Sequence, residues 1–287
     1  MKNRTDKTGM AKNHSAKNGQ PKANFRYSSY YLDVPLQEGR VFDLFEPASI
    51  TLDTAVFFVH GGGWIGGSRT IFHKIMEAMN NRGYLCASTD YRLKGVSAFE
   101  QLQDIREAYD AFVTLLKQKK RPLKIAVYGS SAGSHLASLL VCADPGECGE
   151  NCRLSNKWVK PAYGILHATL HDFLPREWMM PQVWSGMQRA AGAPYELDPD
   201  RYEKLSLKNF IRKTNPPLFF IEAEYEHLFP SKYTLEFVKK HRKWKIMSHW
   251  KVYSGMEHGF FYELVRKAQL EAFEDICAFL EGKLKTL

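Results

Sequence analysis

Two short motifs in this chain carry residues that can do chemistry. His60-Gly61-Gly62-Gly63-Trp64 closes the apolar run Ala55-Val56-Phe57-Phe58-Val59. About 70 residues on, Gly129-Ser130-Ser131-Ala132-Gly133 closes Lys124-Ile125-Ala126-Val127-Tyr128. A G-x-S-x-G between a strand and a helix presents its serine on a sharp turn, as a nucleophile. An H-G-G-G loop after an earlier strand supplies backbone N–H groups that bind an oxyanion. A chance G-x-S-x-G is expected in roughly one chain in ten at this length. The rarer H-G-G-G, in the right context, gives the pair its weight. Together they predict acyl transfer through Ser131, with Gly62, Gly63 and Ala132 as oxyanion donors.

A serine nucleophile needs a base and an acid, and in this arrangement they follow it in the order acid, then His. Of ten histidines, His258 in His258-Gly259-Phe260 sits between a strand pattern and the last helix pattern, where a base should be delivered. Ala223-Glu224-Tyr225-Glu226-His227-Leu228 offers Glu226 as the acid, with Glu224 and Glu222 as runners-up. His60 is expected to brace its loop, and Asp90 and Arg92 to make internal polar contacts. Asp104 opens no separate site. His167, His171 and His227 read as ordinary, with a pocket place for His171 left open.

The elements that must position these groups alternate. Residues 30–34 and 41–45 read as antiparallel edge strands with a turn over Pro35 to Gly39. Strands follow at 53–59, 84–89, 123–128, 162–168, 218–223 and 247–253. Helical periodicity covers 70–82, with Ile71, Ile75, Met76 and Met79 on one face, then 99–119, 131–142, 231–243 and 264–281. This is an α/β fold with a mostly parallel sheet and helices on both faces. Residues 171–214 break the rhythm with four prolines and a Trp/Met cluster. They read as a lid-like insert, and Trp64, Trp178 and Trp184 as substrate-binding residues.

The chain resembles the α/β-hydrolases, in particular the hormone-sensitive-lipase-like esterases and their small bacterial carbohydrate-esterase relatives. The likeness runs over about residues 30–281. His60 to Trp64 is similar to their oxyanion loop, Asp90-Tyr91-Arg92-Leu93 to their D-Y-R-L segment and Gly129 to Gly133 to their elbow. Ser130 stands where many members have Asp. The stretch from Ala223 resembles A-E-Y-D-P-L, which places Glu226 at the usual Asp, and His258-Gly259-Phe260 resembles their H-G-F. The resemblance implies a serine carboxylesterase that forms an acyl-enzyme. About 30 residues lie between a basic tail and the first motif's strand, too few for the large N-terminal cap of many relatives. That points to short-chain or sugar-linked esters. The oxyanion loop is also similar to that of the kynurenine formamidases, so amide or formamide hydrolysis stays open, as does a catalytically silent binding module.

A dinucleotide reading competes, because Gly61, Gly63 and Gly66 satisfy G-x-G-x-x-G and Asp90 ends the next strand. His60 and Trp64 in the loop, two extended segments before it and the lack of any Tyr-x-x-x-Lys argue against it.

The 287 residues are 44% hydrophobic and 25% charged, ordinary for one large domain. Seven basic residues against Asp6 give residues 1–26 a net +6 of the chain's +9. They read as a disordered basic tail, and 27–287 as the catalytic domain. The remaining +3 or so gives no basic face, so no nucleic-acid partner is expected, and no membrane partner. The start lacks an apolar signal segment and no stretch approaches a bilayer span, so the expected location is cytoplasmic. The five cysteines show no C-x-x-C and read as free thiols. The expected partner is a small-molecule ester, with no metal or cofactor required. A homodimer stays open.

Overall fold

The computed structural model describes residues 29–36, 40–49 and 51–284. The expected tail at 1–26 and part of the turn before Gly39 lie outside them.

Eight strands form one sheet in the order β1-β2-β4-β3-β5-β6-β7-β8. The strands β1 (Ser29–Pro35) and β2 (Val41–Glu46) are the antiparallel edge, and β2 pairs antiparallel with β4 (Leu85–Thr89). From β4 onward the sheet is parallel through β3 (Thr54–Val59), β5 (Lys124–Ser130), β6 (Tyr163–His167), β7 (Leu218–Tyr225) and β8 (Ser248–Glu257). Every residue of β3 is buried, as a strand covered on both faces requires.

Two apolar clusters flank the sheet. One is built on α2 (Ala98–Gln118), α3 (Ala132–Cys142) and α6 (Ser231–Lys243), the other on α1 (His73–Asn81) and α7 (Lys267–Leu280). A capping box starts α2: Ser97 Oγ accepts from the Phe99 N–H and Glu100 reaches back to the Ser97 N–H. Its expected stripe, Leu102, Ile105, Ala108, Tyr109, Phe112 and Leu116, is fully buried.

Outside the insert, the 70–82 helix and the last strand differ from the periodicity. The first turn of the 70–82 helix is a 3-10 turn, Arg69–Phe72. Three residues per turn rotate Ile71 off the apolar face, and it is 40% exposed. The last strand runs on to Glu257 and delivers His258 directly, without an intervening loop.

The 171–214 insert folds into two helices, α4 (Pro181–Ala191) and α5 (Pro199–Lys204). Pro181 and Pro199 start them, where a missing N–H is tolerated. The inner face, Met187, Ala190, Ala191, Tyr202 and Leu205, joins the same apolar cluster as α2 and α3. Buried charges are matched: Asp104 accepts from Arg40 and Arg92, and Arg106 pairs with Glu150. All five cysteines are free thiols. Among the described residues, no helix is long and apolar enough to cross a membrane.

At Gly133 the backbones of α3 and the loop after β3 nearly touch, and an added Cβ would lie 2.1 Å from the His60 carbonyl oxygen. Alanine gains up to about 1 kcal/mol over glycine in a helix, but overpacking against backbone costs about 1–3 kcal/mol or more. Gly133→Ala is therefore expected to lose stability, read as a lower midpoint in urea unfolding.

Candidate active site

The elbow forms because its neighbours are small. Ser131 sits between β5 and α3 at φ 55°, ψ −125°, a conformation an L-residue adopts at a cost of about 1–3 kcal/mol. A Cβ at Gly129 would lie 2.5 Å from the Gly133 carbonyl oxygen, so glycine is required there as well. The Ser131 N–H donates to the His167 carbonyl at 2.9 Å, which ties the turn to the neighbouring strand.

The loop after β3 runs beside it. Gly62, Gly63 and Trp64 have φ of 121°, 60° and 63°. The Gly66 N–H closes the turn onto the Gly62 carbonyl at 2.9 Å. A Cβ on Gly61 would fall 3.1 Å from Ser131 Cβ, so the loop lies against the serine, and Ala132, the next residue, starts α3. His60 braces this loop: its ring stacks on Tyr91 at 4.3 Å, and the Tyr91 hydroxyl donates to the His60 carbonyl at 2.8 Å. Asp90 holds Arg69 and Arg92 holds Asp104, as internal polar contacts.

His258 stands between the serine and the acid. Its Nε2 is 2.9 Å from Ser131 Oγ and its Nδ1 is 2.7 Å from Glu226 Oε2. An ionised carboxylate only accepts, so Nδ1 carries the proton and Nε2 is left to accept from the serine hydroxyl. The Glu226 side chain is 1% exposed. Burial works to raise its pKa, but hydrogen bonds from His258 and from the backbone N–H of Leu228 and Phe229 outweigh it. The net direction is down, so the carboxylate stays charged.

The other two carboxylates point elsewhere. Glu222 lies in the core, where its Oε1 accepts from the Thr234 hydroxyl at 2.7 Å. Glu224 is exposed and accepts from the Gly255 N–H at 2.7 Å. Burial above all, with the Glu226 charge added, pushes the Glu222 carboxyl well up against the opposing Thr234 hydrogen bond.

Beneath the serine lies a polar cluster that the sequence did not announce. Ser130 Oγ is 2.8 Å from the Tyr262 hydroxyl, and His167 Nδ1 is 3.2 Å from both Ser130 Oγ and the Tyr128 hydroxyl. Burial, helped by the nearby His258, pushes His167 down to about 3, so it stays neutral. The available signal was its place, since His167 ends the strand beside the serine's strand and pairs in register with Ser130.

The three tryptophans part ways. Trp178 stacks on Tyr233 at 5.2 Å and lines a cavity of about 200 Å³ together with Thr169, His171 and Phe229. That cavity flanks the site, because the Phe229 ring is 5.9 Å from the His258 ring and Thr169 bonds Ser134 on α3 at 2.5 Å. His171, read as ordinary with a pocket place left open, lines this cavity. Trp64 and Trp184, expected as substrate-binding residues, do not line this cavity. Trp64 is 5% exposed, its ring taken up by His135 and Phe173. Trp184 packs on Tyr195 and Tyr202 within the insert. Trp64 thus spends its apolar surface on packing, while Trp184 stays half-buried.

A serine on a strained strand-to-helix turn, at the carboxyl edge of a mostly parallel sheet in this strand order, defines an α/β-hydrolase. A family model described as BD-FAE matches residues 42–241, and the chain belongs to that family. The chain is 25% identical over 225 residues to esterase LipQ of Mycobacterium tuberculosis, a match covering 74% of this chain and 52% of LipQ. It therefore spans about half the length of that relative. Two solved structures share the fold. Esterase B of Lactobacillus rhamnosis, inhibited by a tributyrin phosphonate, is 18% identical with a TM-score of 0.72 over 90% of this chain and 85% of that one. Esterase 2 of Thermogutta terrifontis, phosphonylated by sarin, is 21% identical with a TM-score of 0.69 over 93% and 99%.

The Glu222 carboxyl sets a pH-dependent prediction. Its folded pKa is raised, so above the ordinary carboxylate range the unfolded chain ionises while the folded one holds the proton. Wild type then loses up to about 1.4 kcal/mol of stability per pH unit from this group until it ionises in the fold. Glu222→Gln removes that loss, so it is expected to be about as stable as wild type at pH 4 and more stable at pH 7. Urea unfolding at the two pH values checks the sign.

Proposed function

We propose that the protein is a serine carboxylesterase of short-chain esters, acetyl and sugar-linked esters among them, working through an acyl-enzyme. The observation that carries the reading is the relay Ser131 Oγ, His258, Glu226, with contacts of 2.9 and 2.7 Å. His258 Nε2 takes the Ser131 proton as Oγ attacks the ester carbonyl. Glu226 stabilises the imidazolium that forms and holds its ring in place. The backbone N–H groups of Gly62, Gly63 and Ala132 receive the oxyanion, where the positive end of α3 also favours negative charge. His258 then protonates the leaving alcohol, and the same base activates water to release the acid. The phosphorus reagents carried by the two solved relatives support a nucleophile of this kind, and the esterase name of LipQ supports the reaction class.

The cavity of about 200 Å³ lined by Trp178, Tyr233 and Phe229, the last 5.9 Å from the His258 ring, is the acyl site in this reading, and its volume suits short acyl groups. The insert that supplies Trp178 would then be a wall of the acyl pocket rather than a free lid.

Turnover of p-nitrophenyl acetate, butyrate and octanoate tests this. Wild type is expected to favour the two short esters, and Ser131→Ala to lose at least about a thousandfold in kcat. Turnover that survives Ser131→Ala, or faster turnover of N-formylkynurenine than of any ester, would overturn it. A second expectation concerns Trp178→Ala. Removing this lining ring should raise octanoate turnover relative to acetate by about tenfold, measured as a ratio of kcat/KM.

A further inference from the structure

Trp64 presents a physical problem. It is an L-residue at φ 63°, directly after Gly62 and Gly63, which are also at positive φ. Glycine takes that conformation freely, whereas tryptophan there costs about 1–2 kcal/mol. Something must hold it, and what holds it also sets the direction of the N–H groups just before it.

Two groups hold Trp64 from opposite sides. Its carbonyl accepts from Gln101 Nε2 at 2.7 Å, and Gln101 also donates to the Arg92 carbonyl at 2.9 Å. Its indole N–H donates to His135 Nδ1 at 3.3 Å, while His135 Nε2 lies 2.7 Å from the Leu205 carbonyl. A carbonyl only accepts, so Nε2 carries the proton and Nδ1 is the acceptor that the indole needs. Burial lowers His135 to about 4, against the opposing bond to Leu205, so the ring is neutral near pH 7 and keeps that acceptor. Its ring also stacks on Phe173 at 4.7 Å. His135 lies four residues after Ser131 on α3, and its N–H donates to the Ser131 carbonyl at 3.0 Å.

We propose that His135 is a positioning residue for the oxyanion hole, setting the Gly62 and Gly63 N–H groups through Trp64 and tying the loop to the insert through Leu205. One turn of α3 then carries both the nucleophile and the clamp on the loop that stabilises its product. This rests on the esterase reading above.

The test compares p-nitrophenyl acetate with its thiono analogue, in which C=S replaces C=O. Sulfur accepts hydrogen bonds weakly, so the oxo-to-thiono ratio of kcat reports on the oxyanion hole. Active sites are counted by titration with diethyl p-nitrophenyl phosphate. His135→Phe keeps a ring and loses both hydrogen bonds. It is expected to lower kcat per titrated site about tenfold or more on the oxo ester, with KM within about twofold and the ratio falling in step. His135→Gln, whose amide offers one acceptor and one donor, should restore part of both. Trp64→Phe should lower the ratio as well, and it carries the test where His135→Phe does not fold. A merely structural histidine would lower the number of titrated sites and leave the ratio unchanged. That result, with wild type active on the oxo ester, overturns the inference. A wild type that turns over neither ester overturns the esterase reading and this one with it.

Discussion

The whole site depends on the register of parallel strands at one edge of the sheet. Parallel strands bring all their carboxyl ends to the same side, and each functional group enters within a residue or two of such an end. The His60–Trp64 loop follows β3, Ser131 follows β5, Glu226 follows β7 and His258 follows β8. Register pairs fix their heights. Val59 pairs with Gly129, Ser130 with His167, and Tyr225 with Glu257. The last pair places Glu226 and His258 side by side as the next residue on each strand. A slip of one residue would turn every side chain to the opposite face and separate them.

Such an edge must also hold strained backbone. Ser131 and Trp64 are both non-glycine residues at positive φ, and the buried frame around them is what sustains the strain. Glycines at 129 and 133 let α3 press against β5 and the His60 carbonyl, closer than any Cβ would permit. The His60–Tyr91 stack and the clamps on Trp64 hold the other side. Around them the protein keeps charge scarce. His167 and His135 are held neutral by burial, and Glu222 is pushed toward its protonated form. Glu226 keeps a charge because three hydrogen bonds converge on it.

Much of this was legible in the chain. The strand and helix alternation gave the α/β architecture, and the element bounds agree within a few residues for most elements. The exceptions have local causes. A 3-10 turn rotated Ile71 outward, and the pairing of Tyr225 with Glu257 carried the last strand on to the residue before His258. Helices α4 and α5 were hidden because prolines, which read as breaks in a pattern, are here helix starts. The tryptophans misled for a general reason. A large aromatic in an irregular stretch reads alike whether it faces a cavity, as Trp178 does, or the core, as Trp64 does.

The sequence by itself determined what local backbone geometry demands. A serine between two glycines after a buried strand, and a glycine run after another, permit the close backbone approach that a Cβ at 129, 133 or 61 would block. The tertiary structure alone decided among groups that the sequence left equivalent. Glu222, Glu224 and Glu226 alternate along one stretch, and only the irregularity between Ala223 and Tyr225, with the end of β7, buries the first, exposes the second and turns the third to His258. It likewise decided that His135 meets Trp64 and that His167 lies under Ser130. These partners stand 71 and 37 residues apart in the chain, so no local pattern encodes them, and they meet only when the strands and α3 pack.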